Sequence, residues 1–407
     1  MANNRYTYFK LYIAKGFVMA IVLLAVIYAA FIGLGIPDSL FGAAWPAIYP
    51  DLGIHVSLAS FYSVISSLAS VVSCLLSDRV IARFGTEKVT AVSTAMTALG
   101  LLAFSFGGGF WALCLCAIPL GLGAGAVDTA LNNYVAIHYN ALQMNLLHCF
   151  YGVGVAVSPY LLGLALMQAN DWRGGYRIMF AIQLVLTVLL VVTMPLWKKV
   201  ECRSVEPVPQ MRTVPARQIL ANPVARVSLL VFLGSCSVEA VCLGWSSTWL
   251  VNCRGMDAAQ GAQWITLYYV GMTLGRFLSG VLSGLLGPKK ILAAGLGIAA
   301  VAIGALFVPV PLVSAISLFA VGLGIGPVFP NMTYLTPIHF GQDVCQSFIG
   351  LQMTVTYGAF VFLPLLFTVL ARTVGVVVFP VVCAAALGLA AVATILLIRR
   401  TGKEKSL

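Results

Sequence analysis

Charge is scarce in this chain: Asp, Glu, Lys and Arg together make up 9% of its 407 residues, and only 12 of these are acidic. Soluble globular domains carry about a quarter of their residues as charges, so a water-soluble fold is excluded. Histidine is scarcer still, at 4. No Cys/His spacing resembles a zinc site, and neither a nucleophile with its base nor a phosphate-binding constellation is present. An enzyme, a metal centre and a bound cofactor are therefore not expected. Long polar stretches are also lacking, with one exception, "KKVECRSVEPVPQMRTVPARQILANP". Without a sizeable soluble domain, a sensor or receptor that does not transport is disfavoured.

Apolar residues are what the chain has in excess, at 61%, with a mean hydropathy of +1.00. Since about 20 apolar residues cross the ~30 Å hydrocarbon core, an all-α membrane protein of about a dozen spans is expected. Spans 1 to 6 are expected near 17–48, 56–77, 89–106, 110–138, 144–168 and 176–196. Spans 7 to 12 follow near 226–251, 260–286, 290–309, 312–337, 345–371 and 375–398. The polar stretch then becomes a linker, 197–225, between halves 1–196 and 226–407, neither spanning the membrane nor forming a core.

An even number of spans puts both termini on one side, and 18 of the 23 Lys and Arg fall in the loops of that side. By the positive-inside rule this side is cytoplasmic, in a multi-pass protein of the plasma (inner) membrane, with lipid as its surroundings. The net charge of +11 follows the same loops instead of lining a groove, so nucleic acid is not an expected partner. Arg5, Lys10 and Lys15 precede the first apolar run as in a signal peptide. That run outlasts a signal-peptide core, and an uncleaved first helix is expected. Most of the ten cysteines lie in apolar segments and read as small buried hydrophobes, not a disulfide framework.

The chain repeats itself. Shifted by 201 residues, "GLGAGAVDTALNNYVAIH" (121–138) falls on "GLGIGPVFPNMTYLTPIH" (322–339); at nearly the same shift "SDRVIARFGTEK" (77–88) falls on "SGVLSGLLGPKK" (279–290). Two matching halves of six spans resemble the major facilitator superfamily, in which each half holds two inverted triplets and the substrate site lies near the midplane between the halves. The resemblance implies a pseudo-two-fold pair of six-helix bundles acting as a monomer. It also marks 77–88 as the signature loop between spans 2 and 3, with Asp78, Arg79 and Arg83 as a cytoplasmic gate. Asp78 then either rests on the positive N-terminal end of span 11 or is a solvated determinant of topology.

The glycine run at 121–125 sits in a span, where small residues let helices approach closely. That leaves Asp128 to be explained. A carboxylate at mid-bilayer costs about 2.5–3.5 kcal/mol on insertion scales, so it survives only facing protein or water. Three acids lie well inside spans: Asp38, Asp128 and Glu239. By the resemblance, spans 1, 4, 7 and 10, which line the central cavity, hold all three. Asn132 shares a helix face with Asp128. Gly33, Gly35 and Pro37 are expected to loosen span 1 before Asp38. In span 5, His148 and Tyr151 share a face, His148 either relaying protons or acting as a neutral packed donor. Arg276 is the one basic residue deep in a span and needs an acid or carbonyl partner, Glu239 first, Asp38 or Asp128 second. Trp245, Trp249, Tyr268, Tyr269, Gln352 and Tyr357, with Asn331, are candidate ligand contacts; Trp249 and Trp264 also suit interfacial anchors.

Within the superfamily, Asp38 and "GLGAGAVDTALN" are similar to the fucose permease branch of fucose, galactose and glucose:proton symporters. The resemblance implies that Asp38 and Asp128 serve proton transfer and sugar recognition, in a symporter importing a sugar or similar small polar solute. His148 and Tyr151 stand where that branch has Gln and Asn. The alternative is a proton-coupled antiporter exporting drugs or metabolites, since "GVGVAVSPYLLG" (152–163) partly resembles the antiporter signature, with Ser158 in place of a glycine.

Overall fold

The computed structural model describes residues 2–54, 58–169, 171–201, 212–256 and 258–403. Among these it contains fourteen α-helices. In the first half they are α1 (Ala2–Asp51), α2 (Ala59–Phe84), α3 (Thr86–Ser105), α4 (Phe110–His138), α5 (Ala141–Ala169) and α6 (Trp172–Glu201). A short α7 (Ala216–Ala221) precedes α8 (Pro223–Arg254), α9 (Ala258–Leu286), α10 (Pro288–Ala305), α11 (Pro311–Ile325), α12 (Val328–Phe340), α13 (Cys345–Thr373) and α14 (Phe379–Lys403). Twelve stretches are long and apolar enough to cross a membrane, α11 and α12 forming one of them. The nine described cysteines, most of them buried, form no disulfide.

The chain forms two compact units. The first comprises Met1–Ala69, Arg79–Leu131 and Phe150–Met211; the second Ser70–Asp78, Asn132–Cys149 and Arg212–Leu407. Pairings recur between the halves: α6 packs on α1 and α3 as α14 packs on α8 and α10. The glycines repeat the same roles. A Cβ on Gly121 would overlap the Ser66 carbonyl of α2, and one on Gly322 the Tyr268 carbonyl of α9. Both stripes therefore bring backbones into direct contact, as their composition predicts.

Three local features differ from the expectations. Residues 77–84 are helical, and the turn is confined to Gly85, whose φ of 85° is matched by 73° at its repeat partner Gly287. Asp78, Arg79 and Arg83 thus ride on the end of α2 instead of a loop. The linker does contribute to a core: Val214 and Ile219 are buried with Ala225, Leu229 and Phe348. Apolar side chains among the polar ones find a hydrophobic patch at the start of α13, and Arg212 N–H donates to the Asp343 carbonyl at 2.8 Å. Span 10 is broken between Ile325 and Val328, at Gly326–Pro327. Pro327 and Pro330 both lack the N–H that a continuous helix would need there.

The first unit carries an aromatic cluster in which Phe41 stacks on Tyr62 at 3.7 Å and Phe104 on Tyr176 at 4.2 Å. Phe41 lies one turn beyond Asp38 on α1. This fixes the face of α1 that carries the acid.

Candidate functional site

In the first unit, α1 and α5 meet through glycines. A Cβ on Gly35 would overlap the Tyr151 carbonyl, and one on Gly154 the Ile32 carbonyl. Gly35 thus serves packing, and α1 continues as helix through Gly33, Gly35 and Pro37. The contact brings side chains together. Tyr151 Oη donates to Asp38 Oδ2 at 2.7 Å. The next residue, Ser39, donates to the Val155 carbonyl at 2.7 Å and pairs with the buried Ser158 hydroxyl at 2.8 Å. Asp38 is thereby held on one side while its side chain remains exposed. Asp128 in α4 is buried, 9% exposed.

The second unit holds another polar group. His148 Nε2 lies 3.1 Å from Asn132 Oδ1, and its ring packs edge-on against Phe329 at 4.9 Å. Arg276, 5% exposed, has Glu239 Oε1 4.0 Å from Nη2 and donates from Nε to the Gly326 carbonyl at 3.3 Å. That carbonyl is available for a local reason. Its helical partner would be the N–H of residue 330, which is proline. The Gly326 acceptor is the contact sequence reasoning missed, and a proline four residues downstream was its signal.

The ligand-contact candidates divide. Trp245, half-buried, lies 4.8 Å from Phe367, and Tyr269 and Tyr357 are also half-buried. Asn331 and Gln352 have no exposed surface: Asn331 Nδ2 bonds Ser279 Oγ and the Pro327 carbonyl, each at 2.7 Å, and Gln352 Nε2 bonds Thr336 Oγ1 at 2.9 Å. Both tie helices together in this structure. Tyr268 is fully buried, and its hydroxyl has no hydrogen-bond partner among the described residues. Trp249 is 1% exposed, stacked on Phe379 at 5.0 Å with the Arg254 guanidinium 4.3 Å from its ring, so it packs a helix end. Trp264 is half-buried.

At the start of α13, Ser347 Oγ donates to Asp78 Oδ2 at 3.1 Å and accepts from Val214 N–H at 3.0 Å. Next to it, Asn133 of α4 bonds Gln346. Asp78 therefore sits at the N-terminal turn of α13, where the helix's free N–H groups favour an anion. Arg79 and Arg83 are exposed, Arg83 lying over Phe84 at 5.4 Å.

A family model described as Major Facilitator Superfamily matches residues 19–343 and again 227–407. The chain belongs to the major facilitator superfamily. It is a transporter, with the twelve-span fold of that family. The chain is 23% identical over 394 residues to bypass of stop codon protein 6 of Saccharomyces cerevisiae, covering 87% of this chain and 78% of that protein. Among solved structures it resembles FucP, the Escherichia coli fucose:proton symporter, in its outward conformation. The TM-score is 0.75 at 16% identity, over 93% of this chain and 99% of that one. The proton:xylose symporter XylE bound to 6-bromo-6-deoxy-D-glucose gives 0.74 at 12% identity, over 92% and 94%. At such identities these two likenesses concern the fold.

Proposed function

We propose that this transporter is a proton-coupled symporter that imports a sugar or similar small polar solute by alternating access. The observation that carries the reading is Asp38: an exposed carboxylate within a span, braced from one side by Tyr151 and by the Ser39–Ser158 pair. A carboxyl so placed can take up a proton and lose its charge, which lets the loaded protein change conformation without burying a bare anion. Asp128, Asn132, His148, Tyr151, Trp245 and Tyr357 are the proposed polar and aromatic surroundings of substrate and proton, with Glu239 a further proton site. Asp78, with Arg79 and Arg83, is the proposed cytoplasmic gate, latched through Ser347. The halves 1–196 and 226–407 are the proposed moving parts, in a monomer of the plasma membrane with both termini cytoplasmic. Similarity to two proton:sugar symporters supports the coupling and the substrate class.

Purified protein in proteoliposomes, acid outside, tests this with hexoses, pentoses, polyols and lipophilic cations. Accumulation of a polyhydroxylated solute that collapses with the pH gradient, and that Asp38→Asn abolishes while leaving solute exchange intact, is expected. Efflux of lipophilic cations against proton influx, with no polyol uptake, would establish antiport instead.

A further inference from the structure

Arg276 is poorly satisfied for a buried guanidinium. It has five N–H donors and cannot shed its charge. Among the described residues one donor, on Nε, is hydrogen-bonded, to the Gly326 carbonyl, while Glu239 stands 4.0 Å away and balances charge without filling a donor. There is a second unmet group. The Tyr268 hydroxyl, on the same helix as Arg276, is completely buried and has no hydrogen-bond partner among the described residues. A buried cation with spare forked donors, on a helix that also carries an unpaired phenol, lacks one thing, an acceptor with two oxygens.

We infer that Arg276 is an anchor for a carboxylate, and that the solute carried is a small hydroxylated acid such as a uronate or aldonate. The inference rests on the symporter reading and narrows its substrate. Guanidinium and carboxylate fit as a two-pronged pair, which Lys cannot reproduce. Glu239, the further proton site, gates this anchor. As an anion it would repel the incoming carboxylate; with a proton bound it releases Arg276, and solute and proton cross together with no net charge. The titratable and charged groups around Glu239 are Arg276, Tyr268 and Tyr269 on α9 and Cys236 and Cys242 on α8, with His148 of α5 facing Arg276.

The test uses D-galacturonate against D-galactose, which differ at one carbon. With acid outside, wild-type proteoliposomes are expected to accumulate galacturonate about tenfold above galactose, the low end of what a hydrogen bond to a charged group contributes. Arg276→Gln and Arg276→Lys are both expected to lose that preference. Glu239→Gln is expected to tighten galacturonate binding about fivefold and to flatten its pH dependence, where a merely structural ion pair would give lost stability without either change. Should Arg276→Gln fail to fold, thermal stabilisation of the wild type by galacturonate but not galactose decides the matter. Proton-driven galactose uptake with galacturonate excluded overturns the carboxylate and leaves the symporter. Galacturonate movement indifferent to the gradient does the reverse, and cation efflux without either sugar removes both.

Discussion

Asp51, at the end of α1, accepts from Arg173 Nη1 at 2.7 Å and from Trp172 Nε1 at 3.0 Å. These bonds to the charged form hold its carboxyl below its ordinary value of 3.8. The folded-state value is the lower one, so the tie contributes in full above the ordinary value and is lost as pH falls through the folded one. Thermal unfolding in detergent is expected to show an acid-side loss of stability below about pH 4 that Asp51→Asn removes; because the pair is partly exposed, the loss is modest. Elsewhere, the charged residues were the legible ones. Asp38, Glu239 and Arg276 stand out in sequence because charge in oil is costly, and two of them meet in the fold. Amides were not so informative. Asn331 and Gln352 look like ligand contacts in an apolar run, yet amides also tie helices together. The Gly326 carbonyl escaped because hydropathy ignores backbone acceptors.

Helices were legible from length and hydropathy, their ends less so. The stretch 77–84 reads as a loop because it is polar, but a helix end leaving the membrane is polar too. Contacts between helices depend on backbone approach, which glycines reveal only when the partner is known. At the α1–α5 crossing, Gly154→Val would push the Ile32 carbonyl away and separate Tyr151 from Asp38. Overpacking of this kind costs about 1–3 kcal/mol, so a lower melting temperature together with loss of transport is expected. Ser347→Ala would take one hydrogen bond from Asp78 and leave the Val214 N–H without its acceptor. A cost of about 1–3 kcal/mol per stranded group predicts faster proteolysis of the linker next to residue 214 in digests of the purified protein.

For the whole molecule, the internal repeat was the strongest signal, and the paired turns at Gly85 and Gly287 and paired contacts at Gly121 and Gly322 give it physical content. What the repeat could not foretell is the division into units, since segments 70–78 and 132–149 group with the second half of the chain. Those segments carry side chains that bond to α13, and such bonds depend on conformation and not on fold. Orientation is a separate matter. The basic loops predict that a cysteine placed at Asn3 or Lys405 reacts with an impermeant thiol reagent only in inverted vesicles, and one at Asn170 only in right-side-out cells. Reversed labelling would overturn the cytoplasmic placement of the termini.

One hydroxyl, that of Ser347, answers both to Asp78 and to the segment leading into α7. The connector between the halves is thus more than slack rope, because its far end is stitched to the helix turn that the acid grips. A fluorescent reporter grafted near residue 214 would therefore change its signal with each transport cycle, turning the tether into a readout of turnover.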